Sequence, residues 1–349
     1  MGMVSDDASV VFAGMGVHAI RIASGPGRFK PHCALAVELD EEFLTLGVDT
    51  TRTRANSSEI DTYLITHAHS DHNGSSAMRS PAAFASTETA RALEIRHGRE
   101  YSGRTFNVGD TFKVGGLEIH THHTGHTIGA CAYSFKTECG ASVLVTGDIK
   151  DYGRLPKCDL LVTEANYGNP NDESCVFDDD LDGLREALEE PVVLGAYVFG
   201  KAQRTVALAR AMGFDSTIEM DPMGLALTGE LLPEAGELAA IGENGSRVVV
   251  VPFNMVNRVA GGQNRYLLTG NWIGGTPRIS LSDHLDFRGL VGMVDHCRPQ
   301  AVLVFHPSGG RPKAFARFLR ESRGIPSCAT AELPSVVQKR LGGTFNPLK

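Results

Sequence analysis

Four side chains able to bind a cation fall within six residues, His67-Ala68-His69-Ser70-Asp71-His72, and this run constrains the chain more than any other feature. It follows an apolar segment, Tyr63–Thr66, that reads as a strand. Alternate residues of an extended segment point to the same side, so His67 and His69 can face one ion. Asp71 and His72, after a turn, then address a second position close by. Imidazole and carboxylate donors without thiolate suit a catalytic site with open coordination better than a closed structural one. The bland alternative is a solvated polar turn, which four donors at this density disfavour.

A further histidine is needed from elsewhere, and His120-Thr121-His122-His123-Thr124-Gly125-His126 offers four. His120 and His122 lie in an alternating strand pattern and read as surface or packing residues. His126 follows Gly125 in a loop, where a side chain can be aimed freely, and is the favoured ligand, with His123 second. Asp148 follows the strand Ser142–Thr146 in the turn Thr146-Gly147-Asp148. A carboxylate there can bridge two cations, although a lone aspartate at such a place is as often an ordinary turn residue.

Composition narrows the class. The 349 residues are 42% apolar and 21% charged, a globular balance with length for one large domain or two ordinary ones. No apolar run approaches the ~20 residues of a membrane span, and the N-terminal segment lacks the basic-then-apolar order of a secretory leader. A cytoplasmic location without a membrane partner is therefore expected. Seven scattered cysteines, never spaced C-x-x-C, argue against a disulfide framework and a thiolate zinc site. A net charge of −8 disfavours a global polyanion-binding surface, so any nucleic-acid contact must come from local basic patches or metal. Association as a homodimer is compatible with the sequence.

Short apolar runs separated by polar breaks predict strands at Ala34–Leu39, Tyr63–Thr66, Thr111–Val114, Leu117–His120, Ala132–Phe135, Ser142–Thr146 and Leu160–Glu164. The next stretch changes style. Carboxylates at Asp178-Asp179-Asp180 precede a helix over Leu181–Glu189. Then come a buried strand pattern at Pro191–Tyr197, a helix over Ala202–Met212 and a strand at Arg247–Phe253. The earlier style resumes with the strand Ala301–Phe305 and a helix over Lys313–Glu321, whose Lys313, Arg317 and Arg320 recur at helical spacing.

Taken in order, the H-x-H-x-D-H run, the Gly125-His126 loop and the Thr146-Gly147-Asp148 turn resemble the metallo-β-lactamase superfamily. Asp49, after the strand Phe43–Val48, resembles that family's early structural aspartate. Three later segments resemble its nucleic-acid-processing branch, the β-CASP nucleases: Thr163-Glu164-Ala165-Asn166-Tyr167-Gly168, Ser282-Asp283-His284-Leu285-Asp286, and His306 after the strand Ala301–Phe305. Gly200-Lys201-Ala202-Gln203-Arg204 is similar to the branch as well. The likeness extends over residues 30–325 or so and is nearest to compact prokaryotic members, among them relatives of the mRNA 3′-end processing nuclease and ligase-associated exonucleases. Two departures are that Pro307 stands where glycine is usual and that the stretch between Glu164 and His284 is short.

The resemblance implies an α/β fold, an αββα sandwich of metallo-β-lactamase type with an inserted, smaller α/β cap of β-CASP type. Residues 1–170 would form the first part of the core, 171–275 the cap and 276–349 the final part. It also implies two zinc ions, with manganese or iron compatible. One would be held by His67, His69 and His126, the other by Asp71, His72 and His306, with Asp148 bridging. His284 would be the general acid, with Glu164 fixing its tautomer. Lys201 and Arg204, at a helix N-terminus, would anchor substrate phosphates, a solvated helix face being an equal alternative.

The activity so implied is metal-dependent phosphodiester hydrolysis. Single-stranded RNA cleaved from an end, in RNA processing, is the first expectation because position 306 is histidine and the cap is short. A DNA exonuclease acting in repair is the alternative. A small-molecule esterase or thioesterase comes third, since small esters need neither phosphate anchors nor an acid at His284. An inactive scaffold is disfavoured because every implied ligand is present.

Overall fold

Burial alternates along residues 117–121, where Leu117, Ile119 and Thr121 are inside and Glu118 and His120 outside. A computed structural model describes residues 3–25, 28–40, 42–50, 60–72, 77–260, 264–271, 275–305 and 310–333. Helix α1 (Met3–Gly14) precedes β1 (Val17–Gly25), β2 (Arg28–Leu39), β3 (Glu42–Val48), β4 (Thr62–Leu64) and β5 (Ala83–Ser86). Helix α2 (Thr87–His97) and β6 (Arg104–Phe106) follow. The six strands form one sheet in sequence order, antiparallel from β1 to β3 and parallel from β3 to β6. The Ser86 side chain caps α2 by accepting from Thr89 N, and left-handed Gly98 ends it.

Strands β7 (Thr111–Val114), β8 (Leu117–His123), β9 (Cys131–Lys136), β10 (Ser142–Val145) and β11 (Leu160–Glu164) begin a second sheet. The chain then builds a third. Its elements are α3 (Leu181–Glu189), β12 (Val192–Ala196), α4 (Lys201–Ala211), β13 (Ile218–Met220), α5 (Pro222–Leu231), β14 (Leu238–Ala240), β15 (Val248–Pro252), β16 (Asn264–Leu268) and β17 (Arg278–Ile279). These strands are all parallel, in the order β14-β13-β15-β12-β16-β17. Helix α6 (Phe287–Cys297), β18 (Ala301–Phe305), α7 (Arg311–Arg323) and β19 (Ser327–Ala329) return to the second sheet, whose order is β19-β18-β11-β10-β9-β8-β7.

The first two sheets face each other. Leu35, Leu46, Leu64 and Phe84 from one meet Ile119, Tyr133, Val145, Val162 and Leu303 from the other in a shared core. On the outer face of the second sheet, Leu144, Leu161, Val302 and Val304 pack against α6 and α7 through Leu290, Met293, Phe315 and Leu319. On the outer face of the first, Tyr63, Ile65 and Ala85 pack against Ala90 and Leu93 of α2. Period-two side chains thus serve opposite layers, giving a helix-sheet-sheet-helix stack. Helix α2 leaves little trace in the pattern of apolar residues, because its sequence is polar overall and its buried face consists mostly of small residues.

The third sheet is an insertion in space as well as in sequence: β11 and β18, which flank it in the chain, are hydrogen-bonded neighbours with Glu164 opposite Phe305. Strand β17 carries that sheet past residue 275. Strands β10, β11 and β18 run parallel, so Thr146–Asp148, Glu164 and Phe305 gather at one rim. The carboxyl ends of parallel strands are where α/β folds place ligands.

Candidate metal centre

The His67–His72 segment leaves β4 and is held at that rim by Asp49. This aspartate adopts φ 50°, a left-handed backbone, and its carboxylate accepts from Thr66 N (2.8 Å) and Thr66 Oγ1 (2.7 Å). The same carboxylate lies 3.1 Å from His72 Nδ1. The Ala68 carbonyl is further fixed by a hydrogen bond from Arg96 of α2. Gly147 (φ +61°) sits so close that a Cβ there would lie 2.6 Å from Thr66. The glycine of Thr146-Gly147-Asp148 is therefore what lets the two turns approach.

His67, His69, His126 and Asp148 converge so that one donor atom from each lies within 4.8 Å of the others. Asp148 Oδ2 is 3.7 Å from His67 Nε2, 3.5 Å from His126 Nε2 and 3.3 Å from His72 Nε2. Each imidazole is oriented through its other nitrogen. His126 Nδ1 donates to the Asp283 carbonyl (2.8 Å) and His69 Nε2 to the Phe199 carbonyl (2.9 Å). His67 Nδ1 donates to Thr66 Oγ1 (2.9 Å), whose own proton goes to Asp49. These bonds fix the tautomers and turn the lone pairs inward, as acceptors behind metal-binding histidines do.

Two observations show that the residues fit a cation. His67 Nε2, His72 Nε2 and Asp148 Oδ1 are buried without a hydrogen bond. Burying such atoms unpaired is costly. His126 Nε2 and His69 Nδ1 face each other at 3.2 Å, although both rings spend their protons on carbonyls. Two inward lone pairs at that separation call for a positive charge between them. These buried His and Asp groups can hold metal ions.

Of the expected second ligand set, Asp71 and His72 are among the described residues and lie side by side. Asp71 is largely exposed, and its Oδ2 comes no nearer than 4.0 Å to His72 Nε2. His306 and Pro307 lie outside the described residues. His32 also lies beside His72, with ring centroids 4.5 Å apart and its Nε2 donating to the Asp71 carbonyl (2.9 Å). His32 stands alone in the apolar strand β2, so nothing in its sequence context separates it from a packing histidine. His123 is exposed, His120 bonds Thr111 and His122 bonds Ser134, which leaves His126 as the member of that run at the cluster.

His284 adjoins the cluster, with Nδ1 2.8 Å from Glu164 Oε1 and 3.9 Å from Asp148 Oδ2. Glu164 is fully buried and also accepts from Ile149 N and Asn166 N, so its position is rigid. Burial alone would depress the His284 imidazole, but the charges of Glu164 and Asp148 outweigh it and lift the group to about 8. Burial also opposes charge on His72 and Asp148. Their mutual attraction prevails, raising His72 and holding Asp148 well below the usual carboxylate range.

Other histidines of the site are pushed down, His69 among them. Burial, aided by the charge of His72, lowers His32 to about 4 and holds His67 well below its ordinary value. Burial, aided by His284, lowers His126 to about 3. Unfolded histidines titrate near 6.5, so in the metal-free protein the unfolded chain takes up these protons first as pH falls. Stability is expected to decline from about pH 6.5 towards 4 and 3, as measured by urea midpoints across that range. Midpoints that rise on acidification would contradict the neutral cluster.

Lys201 and Arg204 do not stand free at the cleft as phosphate anchors. Lys201 is 4% exposed, and its Nζ donates to the Leu281 carbonyl (2.8 Å) and lies 3.6 Å from Asp283. Arg204 donates to the Ser282 carbonyl (2.7 Å) and to Asp179 (2.6 Å), which also holds Lys150 (2.9 Å). Both cations therefore clamp the segment that carries His284 and the carbonyl acceptor of His126. Of the stripe on α7, Lys313 and Arg317 are exposed, whereas Arg320 donates to the Ser327 carbonyl. Removing one partner of a buried pair strands the other, so Lys201→Met is expected to lower unfolding free energy by about 3 kcal/mol. A change below about 1 kcal/mol in urea titrations would return Lys201 to the role of substrate anchor.

Fold and site together define a mixed α/β protein with a buried histidine–aspartate centre. No protein-family model matches the chain. The chain is similar to a curated protein of Opitutus terrae (strain DSM 11246 / JCM 15787 / PB90-1) called "Probable DNA ligase", at 26% identity over 302 residues. That match takes in 77% of this chain but spans only 28% of the relative's length. In architecture the chain is similar to the crystal structure of a protein of unknown function from Enterococcus faecalis V583. The TM-score is 0.58 at 14% identity, covering 83% of this chain and 94% of the other. Among the described residues, no helix is long and apolar enough to cross a membrane.

Proposed function

We propose that this chain is a metal-dependent phosphodiester hydrolase of the metallo-β-lactamase type, acting on a nucleic-acid strand. The observation that carries the reading is the convergence of His67, His69, His126 and Asp148, lone pairs inward, beside a His284–Glu164 pair. Residues 171–275, extended by β17, would be the β-CASP-type cap.

Bound divalent cations, zinc by preference for this donor set, supply positive charge against a phosphate and activate water at neutral pH. His67, His69, His126 and Asp148 would hold the first, and His72 with Asp71 would contribute to a second. Hydrolysis of a phosphodiester also needs a proton for the departing oxygen. His284, aimed by Glu164, is placed to give it. A small-ester hydrolase has less need of such an acid, which favours the nuclease reading over an esterase or thioesterase.

Choice of polymer follows from a different observation. The expectation of RNA rests on His306, outside the described residues, whereas the relative named "Probable DNA ligase" favours DNA. We therefore place single-stranded DNA first and RNA second. The ligase name is not carried over as an activity, because the match spans 28% of that protein. End-labelled single strands of matched sequence test the choice. DNA shortened progressively from one end, faster than RNA, is the expected result. Faster cleavage of RNA restores the RNA reading, and cleavage of a circular strand removes the need for an end.

A further inference from the structure

Strands β12 and β15 are parallel neighbours with Ala196 opposite Pro252, so the next residues, Tyr197 and Phe253, emerge side by side at their carboxyl ends. From β12 the chain leaves through α4 towards β13, and from β15 it crosses to β16 on the other side. The carboxyl ends of parallel strands are where open α/β sheets place ligands.

The large apolar side chains exposed among the described residues are Val10, Val176, Leu181, Met223 and Tyr197, and of these Tyr197 alone carries a ring. It is 59% exposed, yet well seated. Phe253 meets it edge to face at 4.7 Å, and Lys201 Nζ lies 6.0 Å from its centroid. Its ring centroid is 6.4 Å from that of His69, a member of the metal cluster. An aromatic face kept in water and braced beside a hydrolytic centre is suited to a flat partner.

We infer that Tyr197, braced by Phe253, is the stacking platform for the nucleobase adjoining the cleaved phosphate. This rests on the nuclease reading above and extends it to how the strand is gripped. A base is joined to its phosphate through one sugar, so a base on Tyr197 brings that phosphate towards His69 and Asp148. Stacking accepts every base, because each has a π-face, and a single strand leaves those faces free. It also supplies grip on a chain of net charge −8 whose Lys201 and Arg204 are taken up internally.

The test uses the full-length, metal-loaded protein and two single-stranded DNAs that differ only in whether the nucleotide at the cleaved position carries adenine or is abasic. Wild-type protein should cleave the adenine strand about 5- to 150-fold more efficiently, the range set by one stacked base. In Tyr197→Ala this ratio should fall to near one, and Tyr197→Phe should preserve it, with metal content measured in each variant. A ratio unchanged in Tyr197→Ala overturns the platform while leaving the nuclease reading intact. Wild-type protein that cuts neither strand overturns both.

Discussion

Asp148→Asn is expected to lose bound metal and hydrolytic rate together. One carboxylate oxygen lies within 3.7 Å of three inward-facing imidazole nitrogens, so its charge holds the cluster together. Asparagine keeps the shape and removes the charge. Deprived of it, the inward-facing nitrogens of His67, His72 and His126 lose the anion they share, and cation affinity falls steeply. Metal supplies several kcal/mol to transition states of this kind, so cleavage should drop by more than about a thousandfold. Elemental analysis of the purified variant separates loss of metal from loss of chemistry. His67→Ala should behave similarly, because His67 Nε2 is a buried atom that bonds nothing else. A variant at Asp148 that retains both metal and rate would place the centre elsewhere.

His284→Ala should keep its metal and lose about a hundred- to ten-thousandfold in rate on a natural phosphodiester, the range for removing a general acid. A nitrophenyl phosphodiester, whose leaving group needs no proton, should be largely spared. Glu164→Gln should lower the His284 pKa from about 8, because the Glu164 charge is the largest influence raising it. Proton resonance of His284 in metal-free protein reads that shift directly. Because the pKa is raised above the unfolded value near 6.5, the interaction stabilises fully below that value and fades as pH climbs through 8. Loss of metal in His284→Ala would make the histidine a ligand, an arrangement compatible with its place beside Asp148 and Glu164.

Much of this candidate centre is legible in the sequence because its residues are local. His67, His69, Asp71 and His72 occupy one turn, while Asp148 and Glu164 directly follow or end recognisable apolar strands. The helix at Leu181–Glu189 and the strand at Ala301–Phe305 were equally open to reading, through an acidic helix start and a β-branched run. What escapes is long-range. The acceptors that aim His126 and His69 are backbone carbonyls 157 and 130 residues away, and a carbonyl has no signature in sequence. His32 joins the site across 39 residues from an apolar strand where a histidine looks like packing. Lys201 and Arg204 carry the opposite lesson. Basic residues at a helix start suggest an anion outside, yet here the carboxylates they meet are Asp179 and Asp283 of the same chain.

The most direct test is cleavage of an end-labelled single-stranded DNA by protein stripped with a chelator and then titrated with zinc. The stripped protein should leave the strand intact, and activity should rise in proportion to zinc and level off near two equivalents per chain, the stoichiometry of a paired-ion hydrolase. Undiminished cleavage by protein shown to be free of metal would contradict the account.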